Sequence, residues 1–272
     1  MNKTILITGS SAGIGKAAAQ YFAAKGWNVV ATMRSPEKET TLTELSNVLV
    51  TRLDVQEKAD MQRVIAEGIK RFGKIDVLLN NAGYGLFGPF ELATDAQIKQ
   101  QFDVNVFGLM HLTQAILPHF RANKAGTIIN VSSMGGRITF PIVSLYHATK
   151  FAVEGFSESL AYELSALNIK VKLVEPGAIV TGFDGAANFT GNPDITDYDD
   201  FVKGFLELWG SKTQERTTAM QVAEVIYEAA TDGTSRLRYV AGEDAKELHG
   251  IRMSGEEPYH AYMQKHWMPA HV

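Results

Sequence analysis

The stretch that most constrains the fold of this chain is Thr4-Ile-Leu-Ile-Thr8 followed at once by Gly9-Ser-Ser-Ala-Gly13-Ile-Gly15. The apolar run is too short for the core of a signal peptide and leads straight into glycines, so it reads as a strand. A helical pattern continues from Lys16 to Lys25. Strand, glycine turn and helix form the entry to a dinucleotide-binding βαβ unit. Glycines let the backbone approach a pyrophosphate, and the helix N-terminus meets its charge. The spacing is G-x3-G-x-G rather than the commoner G-x-G-x-x-G, so alone it fits a purely structural turn equally well.

The rest of the chain repeats the alternation. Segments 27–33, 47–53, 75–80, Gly126–Val131, 169–174 and 236–241 read as strands. Segments 56–72, 95–121 (apart from Gly108), 144–167 and 220–230 read as helices. There is no internal repeat, low-complexity run or linker, so one domain spanning 1–272 is expected. Residues 182–215 mix Gly, Asn, Asp and Pro with Phe183, Phe189, Phe201, Phe205 and Trp209. Polar loops with scattered large aromatics suggest either a mobile cover over an apolar site or a packed surface excursion. Residues 243–272 read as a polar C-terminal extension.

Composition narrows the function classes. The 272 residues are 45% hydrophobic and 21% charged, ordinary for a soluble globular protein. There are no cysteines, which excludes disulfides, thiolate metal sites and thiol chemistry and fits a reducing compartment. The net charge is −4, the pI is about 6.0, and no basic block stands out. A nucleic-acid partner is therefore not expected. No stretch approaches the ~20 apolar residues that span a bilayer, so no membrane partner and a cytoplasmic location are expected. His260, His266 and His271 match no common metal motif, and no metal is expected.

The candidate site residues lie at strand ends. The second strand ends about 20 residues after the glycines, where a dinucleotide fold meets the adenosine ribose. An acidic residue there would bind the 2′-hydroxyl, but this chain has Met33-Arg34. Arginine can pair with a 2′-phosphate, which favours NADP over NAD, unless Arg34 is only a loop charge. Asp54-Val55 ends the third strand, and Asp54 could cap the next helix or touch an adenine edge. The fourth strand exits into Asn81-Ala82-Gly83, which suits close backbone contact with a ligand or a plain turn.

The chemistry points to Tyr146 and Lys150. Four residues apart in a helix, they share one face. A free tyrosine titrates near ~10, and a nearby positive charge lowers that value toward the range useful for general acid–base work. The spacing alone is weak, since Tyr21 and Lys25 repeat it. Ser133, at the end of the fifth strand, stands thirteen residues before Tyr146. The intervening loop carries Gly136 and Pro141 and is long enough to bring both side chains to the C-terminal end of one sheet, where open α/β sheets bind ligands. Asn105 sits in a helical pattern although Asn is a poor helix former, and reads as a solvated or interface residue.

Taken in order, Thr8-Gly9-x3-Gly13-x-Gly15, Asn81-Ala82-Gly83, Asn105, Ser133, Tyr146-x3-Lys150 and Pro176-Gly177 make the chain resemble the short-chain dehydrogenase/reductase family over about residues 3–242. The resemblance implies a single Rossmann-like domain, an α/β fold with a doubly wound parallel sheet of about seven strands flanked by helices. It implies Tyr146 as catalytic acid/base, Lys150 lowering its pKa and binding the nicotinamide ribose, Ser133 bonding the substrate oxygen, and Asn105 holding the water of a proton relay. Gly9, Ser11, Gly13, Ile14 and Gly15 would line the pyrophosphate turn. Asp54, Val55, Asn81, Ala82 and Gly83 would follow the adenosine half, with Arg34 marking NADP. Ile179 and Thr181 would hold the carboxamide. The family is usually dimeric or tetrameric, often through the helices carrying Asn105 and Tyr146. Thr149 departs from the commoner Ser without consequence for the chemistry, and the extension could close the substrate site or reach a neighbouring subunit.

The expected activity is NADP(H)-dependent interconversion of an alcohol and its carbonyl on a small molecule. Met134, Phe140, Leu145, Phe183 and the aromatics of the cover favour an apolar substrate. A loose similarity to the 17β-hydroxysteroid and retinol dehydrogenase branch does not choose one. The alternatives are a non-catalytic NADP sensor, and a dehydratase or epimerase on the same scaffold.

Overall fold

The computed structural model describes residues 2–180, 188–212 and 216–269. The first strand, β1 (Thr4–Thr8), is buried along its whole length. Its side chains alternate between faces, so Ile5 and Ile7 enter one hydrophobic core and Leu6 the other. Apolar residues on both faces are what a parallel sheet covered by helices on both sides requires.

The other elements follow in chain order. Helix α1 (Gly13–Ala24) leads to β2 (Asn28–Met33), β3 (Val48–Arg52), α2 (Lys58–Phe72), β4 (Val77–Asn80) and the short β5 (Leu86–Phe87). Helices α3 (Asp95–Phe102) and α4 (Leu109–Asn123) flank a π-helical stretch over Asp103–Gly108. Then come β6 (Gly126–Val131), α5 (Ser144–Ser165), β7 (Ile169–Pro176), β8 (Ile179–Val180) and β9 (Asn188–Phe189). The chain continues through α6 (Asp199–Lys212), β10 (Thr217–Thr218), α7 (Ala219–Thr231), β11 (Arg238–Ala241), α8 (Glu243–Met253) and α9 (Glu256–Trp267).

Seven strands form one sheet in the order β11-β7-β6-β4-β1-β2-β3, every neighbouring pair parallel. This is a Rossmann-like α/β fold with its order reversing between β1 and β4. Helices α1 and α7 cover one face, where Phe22, Ala18 and Ile226 meet Ile7, Val29 and Tyr239. Helices α2, α4 and α5 cover the other, where Val64, Ile116, Phe120 and Leu160 meet Leu6, Leu78 and Ile128. The start of α7 is a capping box of Thr218 and Gln221, a pattern that also begins α3 at Thr94 and Gln97.

Three stretches differ from the sequence expectation. Residues expected as polar loops between 182 and 215 include a 14-residue helix, α6. Phe201, Phe205 and Trp209 recur every four residues, which sets the aromatics on one helix face rather than scattering them. The polar extension forms two helices, and Tyr259, Met263 and Trp267 repeat the same spacing in α9. Asp54 does not cap α2: Glu57 stands at the N-cap without a side-chain bond, and the Asp54 carboxylate accepts from the Gln56 N–H at 3.1 Å. Among the described residues no helix is long and apolar enough to cross a membrane.

Candidate active site

The C-terminal ends of the parallel strands open into one cavity of about 890 Å3. One end is built on the glycine turn. Gly9 (φ 70°) and Gly13 (φ 54°) occupy the left-handed region that favours glycine. Gly15 lies beneath the turn, where an added Cβ would fall 2.2 Å from the Gly9 carbonyl and 2.5 Å from Asn81 Nδ2. The exit of β4 holds the turn from the side. Asn81 Nδ2 donates to the Thr8 carbonyl at 2.9 Å, and Thr8 Oγ1 accepts from the backbone N–H groups of Asn81 and Ala82 at 2.9 Å each. Asn81 thus serves as a brace as well as a wall.

Gly9, Ser11, Gly13 and Ile14 line this end, and Arg34, Asp54 and Val55 line the wall beyond β2 and β3. Arg34 is exposed, its side chain open to the cavity mouth. Asn81, Ala82, Gly83 and Ile179 also line the cavity. Thr181 and Phe183 lie outside the described residues.

The other end carries Ser133, Met134, Tyr146 and Lys150. Tyr146 and Lys150 lie one turn apart on α5, with the ammonium 5.6 Å from the tyrosine ring centre. Lys150 is buried and donates to the Val131 carbonyl at 2.9 Å. The Tyr146 hydroxyl is hydrogen-bonded to Ser133. The expected lowering of the tyrosine pKa does not hold for the protein alone. Burial disfavours the phenolate and pushes Tyr146 up to about 12, against the opposing bond from Ser133. Burial likewise pushes Lys150 down to about 8, with the charge of Glu154 acting the other way.

Asn105 is not solvated. It is buried in the π-helical stretch, its Nδ2 donates to Tyr84 O at 2.9 Å and its Oδ1 accepts from Tyr84 N at 3.0 Å. The same Nδ2 donates to Thr149 Oγ1 at 3.2 Å, and Thr149 Oγ1 donates to the Tyr146 carbonyl at 2.8 Å. A π turn, which often marks a functional site, here turns a polar side chain inward between the β4 exit and α5. The turn also needs Gly108, where a Cβ would fall 2.8 Å from the Val55 carbonyl.

His147 adjoins Tyr146 but belongs to no motif of the sequence. It is buried, with Nε2 accepting from Phe140 N–H at 2.8 Å and Nδ1 facing Gly135 O at 2.7 Å. That pair of partners requires the proton on Nδ1. The neutral ring therefore pins the loop after Ser133 to α5 at Gly135 and Phe140. Burial pushes its pKa down to about 4, with the Gly135 bond opposing. Between pH ~4 and ~6.5 the unfolded chain binds the proton and the folded one does not, so stability present above ~6.5 is lost as pH falls toward ~4. The loss attributable to His147 is expected to be about 3 kcal/mol. Urea unfolding at neutral and acid pH, compared between wild type and His147→Gln, checks it, and an unchanged pH slope in the variant would count against it.

Behind Lys150 lies a buried ionic cluster that no motif announced. Glu154 accepts from Arg238 Nε at 3.0 Å, and Glu175 lies 3.3 Å from both Arg238 Nε and His249 Nδ1. Burial and the charge of neighbouring Glu154 push the Glu175 carboxyl above its usual range, with Arg238 opposing.

Aromatic side chains line the end that carries Tyr146. Phe140 meets Trp267 of α9 edge-on at 4.7 Å and Trp209 of α6 at 5.1 Å, and Trp209 lies 5.6 Å from Trp267. Tyr259 Oη accepts from Thr139 N–H at 2.8 Å. The extension therefore packs on the outer side of Phe140 and Trp209, two residues that line its own chain's cavity. Ile142, a β-branched residue, holds a φ of 55° on this wall while its carbonyl accepts from Gly88 N–H at 2.7 Å, a strain of the kind that collects at binding sites.

A glycine turn, a reversal in strand order and a Ser-Tyr-Lys group at the strand ends define a dinucleotide-dependent oxidoreductase on a Rossmann-like fold. The family model described as short chain dehydrogenase matches residues 3–190. An uncharacterized oxidoreductase of Schizosaccharomyces pombe is 42% identical over 81% of this chain and 92% of its own. Retinol dehydrogenase 8 of Bos taurus is 36% identical over 87% of this chain and 80% of its own. The crystal structure of a short-chain dehydrogenase from Streptomyces avermitilis superposes with a TM-score of 0.82 at 34% identity, covering 97% of this chain and 95% of that one. The chain belongs to the short-chain dehydrogenase/reductase family, oxidoreductases that act on CH–OH groups with NAD(P).

Proposed function

We propose that the protein is an NADP(H)-dependent oxidoreductase that interconverts an alcohol and its carbonyl on an apolar small molecule, with the whole chain acting as one domain. The observation that carries this reading is the meeting of Ser133, Tyr146 and Lys150 at one end of a cavity whose other end is the glycine turn. The cradle fits a dinucleotide: Gly9, Gly13 and Gly15 leave the turn without side chains where backbone must approach the ligand. When bound, the nicotinamide supplies or takes the hydride.

Tyr146 handles the proton. Held protonated by its burial, it is a donor to the carbonyl oxygen in reduction and takes the proton back in oxidation. The Ser133 hydroxyl and the Lys150 charge favour the phenolate that remains. Asn105 holds the water of a proton relay in this reading, since its Oδ1 accepts one bond from Tyr84 N–H and an amide oxygen can accept a second. Met134, Phe140, Phe205 and Trp209 surround the space beside Ser133, which supports an apolar substrate, and the name of retinol dehydrogenase 8 points the same way.

Arg34 sets the cofactor. Arg34→Ala is expected to weaken NADPH binding by about 1.5–3 kcal/mol, the worth of a charged hydrogen bond, and to leave NADH unchanged. Titration with both cofactors checks it, and equal loss for the two would remove the 2′-phosphate role. The partner is a second copy of the chain: Phe107 beside α4 and Phe151 and Tyr162 on α5 are exposed at 47%, 42% and 72%. Light scattering after gel filtration reads the oligomeric state directly.

The test of the whole reading is oxidation of NADPH and NADH by the purified protein against ketones, aldehydes and quinones. Turnover that prefers NADPH establishes a reductase. Tight NADPH binding with no turnover on any carbonyl, or on the matching alcohols with NADP⁺, would favour a sensor.

A further inference from the structure

One contact ties the C-terminal extension to the cofactor side of the cavity. After β7 ends at Pro176, Gly177, Ala178 and Ile179 run along the cavity wall. Ala178 is buried, and its N–H donates to Asp244 Oδ2 at 2.7 Å. Asp244 lies in the first turn of α8, at the head of the extension. The fit is close on both sides. A Cβ on Gly177 would fall 2.1 Å from Asp244 Oδ1, and one on Gly242 would fall 2.5 Å from it. Gly242 also has a φ of 121°, which L side chains rarely adopt. Main-chain bonds complete the turn, from Gly177 N to Ala241 O at 2.8 Å and from Thr217 N to Ala178 O at 3.0 Å. Two glycines thus clear the space in which one carboxylate meets one buried N–H.

We propose that Asp244 is a positioning residue for the nicotinamide half of the cofactor, a role that rests on the dinucleotide reading of the cavity. By anchoring Ala178 it sets the path of the chain through Ile179, a segment that lines the same cavity as Ser133 and Tyr146. A charged acceptor makes a stronger bond to an amide than a neutral one, and a buried N–H left without a partner draws the backbone toward water. The extension therefore serves both halves of the site: Trp267 of α9 backs the lining residues Phe140 and Trp209, and Asp244 of α8 holds the segment after β7. An aspartate that served only its own helix terminus would leave cofactor affinity alone.

The test compares two ligands that differ by the nicotinamide. Wild type, Asp244→Ala and Asp244→Asn are titrated calorimetrically with NADPH and with 2′-phospho-ADP-ribose, which lacks that half, and thermal melts establish that each variant is folded. Asp244→Ala is expected to raise the Kd for NADPH about tenfold and to leave that for the fragment within about twofold. Asp244→Asn, whose amide oxygen can accept the same bond, is expected to recover most of the loss. Equal weakening of both ligands, no weakening of either, or an Asn variant as weak as the Ala variant would overturn the proposal. Wild-type protein that binds neither ligand would instead overturn the dinucleotide reading beneath it.

Discussion

Replacing Tyr146 with Phe is expected to lower turnover by about a thousandfold while NADPH affinity stays within about twofold, the range that general acid catalysis contributes. The change removes one oxygen. The ring keeps its stacked contact with Phe87 at 6.3 Å and its place beside Lys150. What is lost is the bond to Ser133 and the proton that the carbonyl oxygen would receive. Because that proton moves only in the transition state, kcat and kcat/KM should fall together. Steady-state NADPH oxidation with a turned-over carbonyl, beside an NADPH titration, separates chemistry from binding. Retained turnover in the variant would sink the assignment of Tyr146 as acid.

Gly15→Ala is expected to be the most damaging single methyl in the cofactor half. Its Cβ would meet the Gly9 carbonyl at 2.2 Å and Asn81 Nδ2 at 2.5 Å, far inside contact distance. One obstacle is backbone in a left-handed turn, and the other is an amide already bonded to the Thr8 carbonyl. Neither can withdraw without opening the turn or releasing the β4 exit. Overpacking of this kind costs roughly 1–3 kcal/mol of stability. The distorted turn should weaken NADPH by about a hundredfold or more, since it displaces the pyrophosphate cradle as a unit. Chemical denaturation and NADPH titration of the variant measure the two effects. A variant that melts and binds as wild type does would mean that the turn is not held as closely as its contacts indicate.

The two variants also show why parts of the site could be read before the structure was known. Gly9, Gly13 and Gly15 belong to one local turn, and Tyr146 and Lys150 to one helical turn, so their spacing reports their geometry directly. Ser133 was within reach because strand ends gather on one edge of a parallel sheet. Asn105 was placed in a helix, but local pattern cannot announce a π turn, whose reason is Tyr84 on one side and Thr149 on the other. The direction of the Tyr146 pKa differs from what its spacing to Lys150 suggests for a related reason. Proximity to Lys150 is a matter of spacing, whereas burial is a property of the enclosed cavity, and burial prevails.

The sequence by itself determined the parallel α/β sheet, the glycine turn after β1 and the pairing of Tyr146 with Lys150, because each depends on residues that are neighbours within one strand, turn or helix. Only the tertiary structure decided the rest. His147 pins the Ser133 loop, Asp244 anchors Ala178, Glu175 shares a buried cluster with Glu154, Arg238 and His249, and Trp267 meets Phe140 edge-on. Several of these partners lie far apart along the chain and on different elements. No periodicity links them, and their energies exist only once the sheet has brought its strand ends together and the extension has folded back across them.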